Sequence, residues 1–150
     1  MSLTIAKEDP RSADGRMLVD QSEVEMREAF PPEEIFTYSP EQLWTPQTSF
    51  YIARLDGRAL GCVALLVEDH IGEIKRLFVH SDARGNGIGQ KLIQKLEIDA
   101  RQMGITLVHL ETGHKLEAAV RLYTSLGYTP CAAYGGYPDI PSNLFLEKRL

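Results

Sequence analysis

Cysteine is scarce in this chain. The two present, Cys62 and Cys131, stand far apart and form no Cys-x-x-Cys, so neither a zinc site nor a redox pair is supported. The four histidines (His70, His80, His109, His114) lack ligand spacing, and no metal is expected. No apolar run approaches the ~20 residues that a bilayer span requires. The N-terminus also lacks the basic-then-apolar pattern of a signal segment, so the expectation is a cytoplasmic protein without membrane contact. Positive charge is in deficit: 16 Lys and Arg against 21 Asp and Glu leave a net charge of −5. Phosphate contacts supply most nucleic-acid affinity, so this balance argues against nucleic acid as a partner and mildly favours cationic ones. Repeats, low-complexity segments and linkers are missing as well.

What remains is an ordinarily globular composition, 43% hydrophobic and 25% charged, over a length suited to a single domain spanning residues 1–150. Leu3 to Lys7 reads as a first strand, and Asp9-Pro10 as the cap and first residue of a helix running to Phe30. Ser22 and Glu25 have capping-box spacing, which predicts a break near residue 21. Ser39-Pro40-Glu41-Gln42 is a second capping box, opening a short helix through Trp44. Phe50 to Leu55 and Arg58 to Val67 are strands joined by Asp56-Gly57, a strong hairpin signal. Further strands are expected at 73–79, 105–111, 131–134 and 144–148, with helices from Ile88 to Met103 and from Glu117 to Leu126. The order predicts an α/β fold on a mixed, mostly antiparallel sheet flanked by helices. Strands 73–79 and 105–111 should be parallel, because a helix crosses between them.

The chain is organised around residues 73–103. A short apolar strand ends at Val79, and Ile88, Leu92, Ile93, Leu96, Ala100 and Met103 then recur at helical spacing. Between them, Arg84-Gly85-Asn86-Gly87-Ile88-Gly89 places three glycines at the mouth of a helix. Free amides and a positive dipole end there suit an anion such as phosphate. A tight turn alone needs one glycine or two. Counted from Gly85, both the Walker pattern and the dinucleotide pattern demand glycine where Gln90 stands, so neither applies.

The residues spell Arg84-x-x-Gly87-x-Gly89, which resembles the acetyl-CoA-binding motif Q/R-x-x-G-x-G/A of the GCN5-related N-acetyltransferase family. Downstream, Ala119-x-x-Leu122-Tyr123-x-x-x-Gly127-Tyr128 resembles that family's A-x-x-L-Y-x-x-x-G-F/Y element. The resemblance is specific over roughly residues 50 to 128. It implies a fold whose central parallel strands splay at one end to admit acetyl-CoA, and an enzyme moving acetyl from acetyl-CoA to a primary amine by direct attack. The amides of Gly85, Asn86, Gly87, Ile88 and Gly89 would then hold the pyrophosphate. Backbone groups of Leu77, Phe78 and Val79 would pair with the pantetheine arm like an added strand.

By the same resemblance Tyr123 lies against the cofactor and protonates the departing thiolate, and Glu73, placed before Arg84 as in the histone-acetylating branch, is the general base. Desolvation at the centre of a sheet should raise the pKa of such a carboxylate. The alternatives are a tyrosine that only packs, and a glutamate that only pairs with Lys75 on the same face. Lys75 and Arg76 should point to opposite faces of their strand, one meeting an acceptor carboxylate or both pairing with the acidic N-terminal helix. Leu116 departs from the family, which often carries Asn or Gln there, and one polar contact to the cofactor is lost. The acceptor is expected to be a small-molecule amine, and a homodimer is left open. Two rivals stand beside this reading: a non-catalytic acetyl-CoA sensor, and a protein acetyltransferase acting on lysine or an N-terminus.

Overall fold

Apolar residues alternate along both strands of the Asp56-Gly57 hairpin, and the computed structural model, which describes residues 2–150, buries the two sets on opposite faces of one sheet. The elements are β1 (Leu3–Lys7), α1 (Ala13–Ala29), α2 (Pro40–Leu43), β2 (Thr48–Leu55), β3 (Arg58–Glu68), β4 (Ile71–Val79), α3 (Ile88–Gln102), β5 (Leu107–Gly113), α4 (Glu117–Ser125), β6 (Thr129–Pro130) and β7 (Asn143–Arg149). The seven strands order as β1-β2-β3-β4-β5-β7-β6. Every neighbouring pair is antiparallel except β4 and β5, which run parallel as the crossover required. On one face Tyr51, Val63, Leu65 and Leu110 meet Leu92, Ile93 and Leu96 of α3. On the other, Phe50, Ile52, Cys62 and Ala64 meet Leu18 and Val19 of α1 and Leu43 of α2. Burying each such large side chain stabilises the fold by roughly 1.5–3 kcal/mol. No helix among the described residues is long and apolar enough to cross a membrane.

Four local expectations are corrected. The first long helix is capped by Ser12, whose side chain accepts from the Gly15 amide, and not by Asp9; Asp9 instead bonds Arg11. That helix runs unbroken through residue 21, because Ser22 is buried on its inner face and its hydroxyl accepts from Arg76 rather than capping. Residues 131–134 form no strand; the pairing with β7 falls at Thr129 and Pro130, and the chain then leaves the sheet. Arg76 and Lys75 do not point to opposite faces. Two residues of β4, Arg76 and Leu77, oppose Val63 alone, so the strand bulges, and Arg76 takes a left-handed φ of 56°. The Ser39–Gln42 capping box forms as its spacing predicts.

The parallel pairing of β4 with β5 runs from Ile71–Leu107 to Ile74–Leu110 and stops. Beyond it the bulge turns β4 away while β5 continues to pair with β7 as far as Gly113. The sheet therefore splits along its middle, and residues 76–79 have no strand partner on the β5 side. Helices α1 and α2 cover the face of β2 and β3. The same face over β4 and β5 carries Glu73, Lys75, His109 and Glu111, and tyrosines of the segments 36–38 and 134–137 close over it.

Candidate active site

Two cavities meet at the split. The larger, about 810 Å³, runs between α1, the end of β4, the glycine loop and α4. That volume lies within the range of ligand-binding clefts. Leu77, Phe78, Val79, Arg84, Gly85, Gly87, Ile88 and Gly89 all line it. Gly87 caps α3 with φ 73° and no side chain on the helix amides, and Gly85 has φ 83°. Both conformations favour glycine, and a Cβ at either position would meet only open space. The helix end is therefore bare of protein and turned to the groove. Asn86 does not line the groove; its amide donates to the Ala83 carbonyl and braces the loop. Arg84 donates from Nε to the Val79 carbonyl and pairs with Glu25 across the groove.

These features fit a nucleotide diphosphate carrying an extended arm. Uncapped amides and open glycine positions face the diphosphate end, and the unpaired edge of β4 can hydrogen-bond the arm. Leu116, where the resemblance led us to expect the loss of a polar contact, stands at the α4 N-terminus with no side-chain cap and lines both cavities.

The smaller cavity, about 110 Å³, opens where β4 and β5 part and shares Leu77, Leu116 and Ala119 with the groove. Tyr123 lines it, 4% exposed, with its ring edge-on to Tyr128 and its hydroxyl making no bond to a described residue. Burial raises its pKa well above the ordinary phenol value, so it holds its proton. Glu111 lines the same cleft, and burial pushes its carboxyl up to about 7 against the opposing charge of Lys75, with Glu73 adding to the rise. It makes neither a hydrogen bond nor an ion pair to a described residue.

Glu73 lies behind this cleft rather than in its wall. Its Oε2 accepts from Tyr134 at 3.1 Å and Tyr137 at 2.9 Å, and pairs with Lys75 at 3.1 Å. Lys75, 8% exposed, sits over the rings of Tyr137 at 4.0 Å and Tyr38 at 4.6 Å. Burial lowers its pKa, against the attraction of Glu73. His109 stacks on Tyr134 with centroids 3.5 Å apart, and burial holds its imidazole below the usual range.

The bulge turns Arg76 toward α1 and the loop before α2. Its guanidinium donates to the Tyr38 carbonyl, to Ser22 and, at 2.6 Å, to Glu23. A left-handed non-glycine residue costs about 1–3 kcal/mol, which those bonds offset. Sequence reasoning passed over Glu111 and the bulge. The alternation of His109 and Glu111 with apolar neighbours was the one available sign that a face of β5 is polar. Nothing in the sequence around Arg76 marks a bulge.

A family model described as the Acetyltransferase (GNAT) family matches residues 17–128. The chain is 32% identical over 99% of its length, and 99% of the relative's, to an IAA acetyltransferase of Azospirillum brasilense. It is 35% identical over 57% of its length to an aminoalkylphosphonate N-acetyltransferase of Salmonella typhimurium, of which the match covers 60%. Among solved structures, a protein of Klebsiella pneumoniae assigned as an acyl-CoA N-acyltransferase superposes with a TM-score of 0.84 at 30% identity, covering 99% of this chain and 97% of that one. The PaiA N-acetyltransferase of Thermoplasma acidophilum, in complex with coenzyme A, superposes over 100% of both chains with a TM-score of 0.80 at 19% identity.

Proposed function

The chain belongs to the acetyltransferase (GNAT) family, and on that premise we propose that it transfers the acetyl group of acetyl-CoA to a primary amine of a small molecule by direct attack on the thioester. The observation that carries the reading is the junction of the two cavities, with an unbonded tyrosine and an unbonded glutamate on the walls of the smaller one. Neither side chain would be needed by a protein that only senses acetyl-CoA.

The amides at the start of α3 and Arg84 hold the diphosphate, Arg84 exchanging Glu25 for it. The free edge of β4 from Leu77 to Val79 aligns the arm, and one of its N–H groups polarises the thioester carbonyl. The amine enters the smaller cleft, most of it as ammonium at neutral pH. Glu111, with a pKa of about 7, takes a proton from it. The neutral nitrogen attacks the carbonyl carbon; as the tetrahedral adduct collapses, the C–S bond breaks, Tyr123 gives its proton to the sulfur, and the second proton shed by the nitrogen passes through solvent to restore the phenol. Cys62 is buried in the opposite core and Cys131 is not in either cavity, so no thiol is placed to carry the acetyl group between substrates.

A second arrangement keeps Glu73 as the base. It stands at the centre of the parallel pair, where it reaches the cleft only through Lys75 or a water. The small-molecule acceptor is supported by relatives named for IAA and for aminoalkylphosphonate. The test is thiol release from acetyl-CoA with a panel of amines, with product mass confirming acetyl gain. Release with no amine, or gain only on protein lysines or N-termini, would overturn the proposal.

A further inference from the structure

Charge in the smaller cleft is one-sided once its ion pairs are drawn. Four charged residues line it: Glu34, Lys75, Arg76 and Glu111. Both cations are taken. Lys75 is bound to Glu73 at 3.1 Å and enclosed by two tyrosine rings; Arg76 is bound to Glu23 at 2.6 Å, its side chain 5% exposed. Both acidic residues that belong to the cleft itself are unpaired, since neither Glu34 nor Glu111 has an ion-pair partner among the described residues. The other polar liners, Ser22, Thr37, Tyr38, Thr112, Tyr123 and Asn143, are neutral.

We infer that the acceptor site selects a cationic amine that carries no acidic group near its nitrogen. The inference rests on the transfer reading above and adds the class of acceptor. An ammonium meets Glu111 and Glu34 without disturbing anything already paired. A carboxylate or phosphonate beside the amine would find no free cation in the lining of the cleft; freeing Lys75 would strand Glu73 between two tyrosines, and freeing Arg76 would strand Glu23. This separates the chain from a relative named for aminoalkylphosphonate, an acceptor class that brings its own anion.

The test compares isoamylamine, leucinamide and leucine as acceptors, with rates referred to the free amine of each. Isoamylamine and leucinamide should exceed leucine in kcat/KM by at least about tenfold, because opposed like charges are strongly disfavoured. Leucinamide keeps the bulk of leucine without its charge, so it separates electrostatics from fit. Glu34→Lys should narrow the leucinamide-to-leucine ratio several-fold while leaving the thermal shift by acetyl-CoA in place. Leucine as good as leucinamide, or a ratio unmoved by both Glu34→Lys and added salt, would overturn the inference alone. No turnover with any amine, while acetyl-CoA still raises Tm, would overturn both this inference and the transfer reading.

Discussion

The two cavities that meet at Leu77 are built from different materials. The larger groove offers a ligand mainly backbone groups: amides at the start of α3, glycines at φ 83° and 73°, and an unpaired strand edge. The cleft beside it is made of side chains from α1, the segment 34–38, β4, β5, α4 and the start of β7. A backbone site has to be coded locally, because glycine takes those dihedrals at the least cost and leaves the amides bare. A side-chain site draws one residue from each of several elements, and any of them can change without altering the local conformation.

The largest effects should arise in the cleft. Glu111→Gln should lower kcat/KM for a good amine by about 10²–10⁴-fold near neutral pH and leave acetyl-CoA binding intact. Its loss should shrink at high pH, where the amine arrives deprotonated. Glu73→Gln measured alongside decides the base: a greater loss there than in Glu111→Gln, with the rise of rate with pH removed, would transfer the role to Glu73.

Tyr123→Phe should cost about 10²-fold in kcat, the lower end for general acids, since a leaving thiolate is already a weak base. Its KM for acetyl-CoA should hardly move, because the hydroxyl acts on charge that develops late. A fall of less than about threefold would leave Tyr123 as packing between α4 and β5.

Stability should sharpen the same contrast. The Glu111 carboxyl has its pKa raised from 4.5 to about 7 in the folded state. The folded protein therefore binds more protons than the unfolded one across that interval, and this group's stabilising contribution, full below about 4.5, is lost as pH rises through 7. Glu111→Gln should accordingly raise Tm at pH 8 relative to wild type and lose that advantage by pH 5, in paired thermal melts. A gain of the same size at both pH values would point to packing rather than ionisation.

On the backbone side, Gly87→Val forces a β-branched residue to φ 73° at a cost of about 1–3 kcal/mol, and puts methyl groups where the diphosphate approaches. The variant should fold with lowered Tm and lose most of its stabilisation by acetyl-CoA. A full thermal shift would remove the glycine loop from the binding site. The smallest effect belongs to Glu25→Gln. Releasing the exposed Arg84 from its partner should tighten acetyl-CoA binding by at most about fivefold at low salt, the reach of a surface ion pair. Weaker binding would mean that Glu25 positions Arg84 for the phosphate instead of competing with it.

Much of the fold was legible along the chain because its causes are local. Asp56-Gly57 closes a hairpin, Ser39 and Gln42 cap α2, and the helical spacing from Ile88 to Ala100 delivers the face buried against the sheet. The groove was legible for the same reason: three glycines between a strand and a helix are a statement about backbone. The tertiary structure decided the rest. Whether Ser22 ends a helix or lies buried within one depended on Arg76, far along the chain, which reached it only because β4 bulges. Glu73 and Glu111 are both acidic residues on a polar strand face; the place of Glu73 before Arg84 singled it out in the sequence, and nothing there drew attention to Glu111. The tyrosines of the 134–137 loop and the ammonium of Lys75 enclose one carboxylate and leave the other open to the cleft. The protonation of a buried group is set by what long-range packing brings around it, and that cannot be read from its neighbours in sequence.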